Sequence, residues 1–506
     1  MSKSPNKVIQ EHINAAAWKA CDTFRGSIDP AQYKDYILVM LFLKYISDTQ
    51  KAHRAELMEK YGNEPVRLTR ALERERFQLP PGSSFDELHK ARGETDIGER
   101  IDKALDAIED KNAAKLKGVF RNINFNSETI GSPAERNRRL KALLEDFAKP
   151  ELDLSPGRVD VDVIGECYIY LISQFASDAG RKAGEFYTPA VMSRLLAKLA
   201  DPQKGHTIFD PSCGSGSLLL EAAKQADEKD FALFGQEVNG STWALARMNM
   251  FLHSQDSARI EWCNTLTGPA LLDNKDRLMK FDRIVANPPF SLDKWGFEEA
   301  QNDRFHRFDR GMPPESRADY AFISHIVETL KPGFGKAAVI VPHGDLFRSG
   351  AEGRIRQKLV EENLIDAVIG LPAGMFSSTS IPVAILVIDR SRELGGSNAK
   401  RQDVLFIDAS RDYLENKKQV TLSDAQEKRI VDTYVSREAI EKYSHVATLK
   451  EIEENDFNLN IPRYVDTFEA EAVVDIAKVQ DEILALEEKQ GELRVKMNQY
   501  LKELGL

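Results

Sequence analysis

The chain reads as an α/β protein, a doubly wound and mainly parallel sheet domain set between an all-helical N-terminal domain and a C-terminal helical arm. Three features predict this. From about Gly184 to Ile407, short apolar runs alternate with helical stretches, which is the pattern of βα units. Before them, from Val8 to about Phe147, apolar residues recur at spacings of three and four. After Asp408 the sequence turns charged and mainly helical, and it closes on an apolar seam of heptad spacing.

The helical block is clearest over Tyr36 to Ile46 and again over Ile101 to Ile108. Turn residues from Lys149-Pro150 to Pro156-Gly157-Arg158 end it, and Val161 to Phe175 reads as a helix leading into the sheet domain. The predicted strands are 207–209, 233–235, 259–262, 283–286, 337–341, 365–369 and 383–388, the last two joined by a connection containing Pro372 and Gly374. At the end, Ile476, Val479, Ile483, Leu486, Leu493, Met497, Tyr500 and Leu504 form one stripe, interrupted by Gln490. Such a helix either packs on its own domain or docks as a coiled-coil arm on another subunit, and Gly491 weakens a long independent coil. The expected division is 1–155 helical, 156–410 catalytic, 411–468 mixed and mainly helical, and 469–506 an amphipathic docking helix.

With 506 residues and 42% hydrophobic content, the chain can bury a sizeable core. It has no uninterrupted apolar run long enough for a membrane span, and its start lacks a signal-peptide pattern, so a cytoplasmic location and no membrane partner are expected. Cys21, Cys167, Cys213 and Cys263 are scattered without CxxC or Cys/His spacing, which predicts reduced thiols and no metal site. The formal charge of -11 argues against a protein that grips nucleic acid alone, because such proteins carry a basic excess that displaces counterions. The basic run Arg136 to Lys141 reads most simply as a solvated helix face. If DNA is bound, a partner supplies much of the grip.

Phe209-Asp210-Pro211-Ser212-Cys213-Gly214-Ser215-Gly216-Ser217 runs from a predicted strand into a predicted helix. Glycine at this junction lets the backbone approach a small molecule. A dinucleotide fingerprint would need a third glycine where Leu219 stands, so a pyrophosphate ligand is disfavoured against S-adenosylmethionine. Glu237 ends the second strand about twenty residues on, where a carboxylate can accept hydrogen bonds from both ribose hydroxyls of either nucleoside cofactor. Cys213 is not read as a nucleophile. Methylation at carbon 5 of cytosine would place Pro-Cys after the fourth strand, and the chain contains no Pro-Cys.

Ala286-Asn287-Pro288-Pro289-Phe290 follows the fourth strand, at the carboxyl edge of the sheet beside the cofactor crevice. These residue types suit amine methylation. An exocyclic amino nitrogen has its lone pair delocalised into the ring, and acceptors that grip its hydrogens turn it toward tetrahedral geometry. Asn287 offers a side-chain carbonyl and Pro288 a main-chain carbonyl, on a loop the prolines stiffen. Phe290 can stack on a base rotated out of the helix. Asn-Pro-Pro also makes ordinary turns, but its place after the fourth strand, downstream of the glycine turn and Glu237, weighs against that.

The ordered set Gly184-Glu185-Phe186-Tyr187-Thr188-Pro189, Asp210 to Gly216, Glu237 and Asn287-Pro288-Pro289-Phe290 resembles the amino-group DNA methyltransferases of the adenine-N6 type. More narrowly it resembles the modification subunit of type I restriction-modification systems, to which Tyr33 to Asp48 and Asn458 to Tyr464 are also similar. The resemblance implies an S-adenosylmethionine-dependent methyltransferase domain. It implies that Glu185, Phe186, Tyr187, Thr188, Pro189 and Ala190 fold over the cofactor's methionine end, that Asp210, Gly214, Ser215, Gly216, Ser217, Glu237 and Asn264 form the rest of its site, and that Asn287, Pro288, Pro289 and Phe290 are catalytic. The implied partners are DNA, a separate specificity subunit, a second copy of this chain and a restriction subunit. One departure is Asn264, where such proteins often carry an aspartate that contacts the cofactor's adenine; an asparagine carbonyl can still accept from the adenine amino group. Ser291 to Arg317, long and polar with Gly311, Pro313 and Pro314, reads as a mobile loop that orders on a flipped base. RNA or a glutamine side chain as methyl acceptor, and a scaffold without activity, are the competing readings.

Overall fold

The computed structural model describes residues 5–26, 28–179, 187–226, 230–376, 381–415, 420–466 and 476–504. They divide into two units, Met1–Val465 and Asp466–Leu506. The first unit opens with eight helices, α1 (Pro5–Ala20), α2 (Pro30–Tyr61), α3 (Pro65–Leu72), α4 (Phe85–Lys90), α5 (Ile97–Lys111), α6 (Ala113–Leu116), α7 (Pro133–Phe147) and α8 (Val161–Ala179). Helix α2 is the spine. Its central run Ile37 to Leu43 is apolar all round and buried all round, as a helix with no polar face has to be. Helix α8 packs on α1 and α2.

Then come α9 (Ala190–Ala200), β1 (Thr207–Asp210), α10 (Ser217–Gln225), β2 (Ala232–Glu237), α11 (Gly240–Leu252), β3 (Arg259–Trp262), β4 (Arg283–Ala286), α12 (Phe297–Ala300), α13 (Asp319–Thr329), β5 (Lys336–Pro342), α14 (Ala351–Glu361), β6 (Ile365–Gly370) and β7 (Val383–Asp389). All seven predicted strands are present. Two more follow in the sheet, β8 (Asp403–Asp408) and, after the short pair β9 (Leu414–Glu415) and β10 (Val420–Thr421) and helix α15 (Asp424–Ser436), β11 (Ser444–Thr448). The sheet thus runs past residue 410 into the segment expected to be mainly helical, which also holds α16 (Leu449–Glu454).

The strand order is β11-β8-β6-β7-β5-β4-β1-β2-β3. Strands β1 to β5 pair with one another in parallel, and β7 lies antiparallel between β5 and β6. Both faces are covered, so strands read as continuous apolar runs. In β7, Ile385 and Val387 point into one core with α9 and α10, while Ala384, Leu386 and Ile388 point into the other with α13 and α14. The helical layer and the sheet share a core, because Ala244, Leu245, Met248, Phe251 and Leu252 of α11 belong to the same apolar cluster as α1, α2, α5, α7 and α8.

Among the described residues, the second unit holds one helix, α17 (Ile476–Glu503). Ile483, Leu486, Leu493, Met497, Tyr500 and Leu504 on it are all at least half exposed. Among the described residues, no helix is long and apolar enough to cross a membrane.

Candidate active site

The strand order reverses between β1 and β4, so the loops leaving the carboxyl ends of β1, β2, β3 and β4 open into one crevice at a topological switch point. The turn after β1 is built by backbone pairing. Asp210 Oδ1 accepts the Ser212 N–H at 2.9 Å, the Cys213 N–H reaches Gln236 O at 3.0 Å, and Gly216, in the left-handed region at φ 78°, caps α10. The turn passes so close over β2 that a Cβ at Gly235 would meet Cys213 Sγ at 2.9 Å. The Ser215 and Ser217 hydroxyls lie 3.0 Å apart, and Asn249 Nδ2 donates to Ser215 O at 2.8 Å.

Glu237 ties this turn to the next loop. Its carboxylate accepts the Gly214 N–H at 3.0 Å and the Asn239 N–H at 2.8 Å. Asn239 in turn caps α11 by accepting from the Ser241 and Thr242 N–H groups. Burial, with the Glu237 charge adding to it, raises the Asp210 carboxyl to about 8 against the opposing Ser212 N–H. Burial also pushes the Cys213 thiol well up, which keeps it an inert core residue.

After β4, Asn287 donates from Nδ2 to Thr188 Oγ1 at 3.1 Å, and its Oδ1 is buried with no hydrogen-bond partner among the described residues. An unpaired buried carbonyl is costly, and in a native fold it calls for an explanation. Pro288 is buried, and the half-buried Phe290 ring stands edge-on to Phe376, centroids 5.8 Å apart.

A cavity of about 590 Å³ lies over these loops, within the range of roughly 300 to 1,000 Å³ common to small-molecule sites. Of the residues expected from sequence, Glu237, Asn264, Asn287 and Pro289 line it. Asp210, Gly214, Ser215, Gly216 and Ser217 are buried off its surface, Thr188 reaches the site through Asn287, and Tyr187, Pro189 and Ala190 lead into α9. Glu185 and Phe186 lie outside the described residues. Asn264 lines the cavity, but its Oδ1 already accepts the Leu266 N–H at 2.9 Å and the Thr267 N–H at 3.2 Å, holding its own turn.

Three parts of the site escape sequence reasoning. The cavity's far wall comes from the helical layer, with Gln32, Lys34, Asp35 and Tyr36 of α2 and Asn122, Ile123 and Thr129 before α7. Burial raises the Asp35 carboxyl there, even with Lys34 Nζ 2.8 Å away. Fully buried Gln236 knots the loops below by donating to Thr265 Oγ1 at 3.1 Å and accepting from the Ala270 and Leu271 N–H groups. The third is the stretch 291–317, read from sequence as a mobile loop and in the structure packed. Trp295, Ala300, Ala318, Ala321, Phe322 and Leu266 make a small core of their own, and buried Arg307 donates to Thr265 O at 3.0 Å, Leu266 O at 2.7 Å and Asp303 at 2.7 Å. The aromatic residues at 295, 297, 305 and 308 were the signal that this polar stretch folds.

A family model described as N-6 DNA Methylase matches residues 159–472, and one described as HsdM N-terminal domain matches residues 13–147. The type I restriction enzyme MpnII methylase subunit of Mycoplasma pneumoniae is 31% identical over 97% of this chain and 96% of its own length. The MjaVII methylase subunit of Methanocaldococcus jannaschii is 30% identical over 97% and 84%. The crystal structure of the type I restriction-modification system methyltransferase subunit from Streptococcus thermophilus is 35% identical, with a TM-score of 0.79 over 91% of this chain and 100% of that one. A likeness that runs through the helical layer as well as the sheet makes this chain a member of the N-6 DNA methylases and, within them, of the methylase subunits of type I restriction enzymes.

Proposed function

We propose that the protein transfers a methyl group from S-adenosylmethionine to the N6 amino group of a flipped adenine in DNA, as the modification subunit of an assembly with a specificity subunit, a second copy of itself and a restriction subunit. The observation that carries the reading is the buried Oδ1 of Asn287, without a partner among the described residues and so open to an arriving amine. Thr188 holds the other end of that amide, so the oxygen keeps its aim.

The cavity residues fit the cofactor. Its volume is ample, and the Glu237 carboxylate has about four acceptor sites, so ribose hydroxyls add to its two backbone bonds. When bound, the cofactor supplies an electrophilic methyl group. The chain's own residues do the rest. Asn287 Oδ1 and the Pro288 carbonyl each take a hydrogen of the target amine and draw its lone pair out of the ring. The same two oxygens would hold the proton that the amine gives up on methylation. Phe290, braced by Phe376, offers a face for the base.

For the assembly, support comes from the net charge of -11 and from the exposed apolar stripe of α17. The test is incubation with methyl-labelled cofactor and DNA, with and without the products of neighbouring genes, followed by identification of the modified base. N6-methyladenine is expected only in the assembled complex. A complex that binds the cofactor yet leaves every adenine unmodified sinks the proposal.

A further inference from the structure

The loop carrying Asn287 to Phe290 exits through Ser291, whose backbone lies in the left-handed region at φ 51°. A non-glycine residue keeps that conformation only where its surroundings hold it. Here the holder is Asp319, the first residue of α13, whose Oδ1 accepts the Ser291 N–H at 3.0 Å.

Asp319 sits in an acidic setting, and its Oδ2 has no hydrogen-bond partner among the described residues. It is buried, and with buried Asp345 and Glu352 it forms a group whose carboxylate oxygens lie within 4.8 Å of one another. Two guanidinium groups border the group. Arg348 Nη1 lies 2.7 Å from Asp345 Oδ1 and 3.5 Å from Glu352 Oε1, and Arg317 Nε lies 3.5 Å from the same Glu352 oxygen. Three carboxylates facing two guanidiniums leave one negative charge in excess, which a single retained proton removes. Burial and the neighbouring Asp319 charge raise Asp345 to about 8, so that is where the proton resides near neutral pH.

We infer that Asp319 is a positioning residue for methyl transfer: by gripping the Ser291 N–H it fixes the exit of the Asn287–Phe290 loop, and with it the direction in which the Asn287 and Pro288 oxygens face the target amine. The inference rests on the role proposed above for Asn287.

The test uses the full assembly and compares Asp319→Ala, Asp319→Asn and Asn287→Ala. Single-turnover methylation and equilibrium binding of the cofactor are measured for each. Asp319→Ala should slow methyl transfer by about 10- to 100-fold, the scale of a misplacement near 1 Å, with cofactor affinity held within about twofold. Asp319→Asn keeps an oxygen for the Ser291 N–H and should stay within about threefold of the parent rate. A normal rate in Asp319→Ala, or equal loss in both variants, overturns the inference. Should the alanine variant not fold, the asparagine variant decides alone, and a loss of tenfold or more in it counts against the grip. Methylation that survives Asn287→Ala would instead overturn the underlying reading, and an inactive Asn287→Ala beside a normal Asp319→Ala would sink this inference only.

Discussion

Asn287 anchors its amide nitrogen on Thr188, while its oxygen is buried without a partner among the described residues, the acceptor the proposal needs. Asn287→Ala should therefore remove methyl transfer while leaving cofactor binding nearly normal, measured by calorimetry beside the methylation assay; loss of binding would mean the side chain has a different role. Asp210 makes a pH prediction. Its raised carboxyl keeps a proton that the unfolded chain would lose, so its contribution to stability is complete below the ordinary carboxylate range and disappears as pH rises through about 8. On the proposed function, the sulfonium charge of a bound donor would favour the ionised form. Cofactor binding should release protons at neutral pH and tighten as pH rises toward about 8, and Asp210→Asn should flatten both trends. Titration in two buffers of different ionisation heat reads this directly. That Asn287 and Glu237 line one cavity was legible because each stands at or just past the carboxyl end of a predicted strand. The hold of Thr188 on Asn287 was not, since it spans 99 residues of sequence. Nor was the commitment of the Asn264 carbonyl to its own turn, which depends on loop geometry that residue types do not encode.

Among elements, the stretch 291–317 shows where a polar composition misleads. One of its charged groups, Arg307, is an internal ligand, which closes the loop onto the backbone at Thr265 and Leu266. Arg307→Ala would strand the Asp303 carboxylate and should cost about 3 to 5 kcal/mol of stability by denaturant titration. Equal protease resistance of this stretch with and without DNA is expected; cleavage confined to the DNA-free protein would show that it opens. The nine-stranded sheet was readable as far as β7, whose apolar runs announce burial on both faces. Strand β11, Ser444 to Thr448, carries polar residues at a sheet edge and gives no such signal. Helix α17 kept its heptad stripe, and deleting residues from Val473 onward should disrupt assembly before it affects catalysis, an outcome size-exclusion chromatography separates from the methylation assay.

At the scale of the whole molecule, sequence texture divides the chain near residue 155, yet packing does not respect that line. Helix α11 lies in the sheet domain by connectivity and in the helical layer by core. Texture records local periodicity, whereas a shared core is a property of surfaces that meet only in three dimensions. The cofactor cavity has the same double origin, with Glu237 and Asn287 on one side and Asp35 and Asn122 on the other. This has a practical meaning for anyone who would reuse the enzyme. Residues 159–472 alone are not a portable cassette: cut free of the helices, they would present Leu245, Met248 and Phe251 to water as a sticky flank and leave the donor in an open dish. A chimera that borrows this chemistry has to import the N-terminal helices along with it.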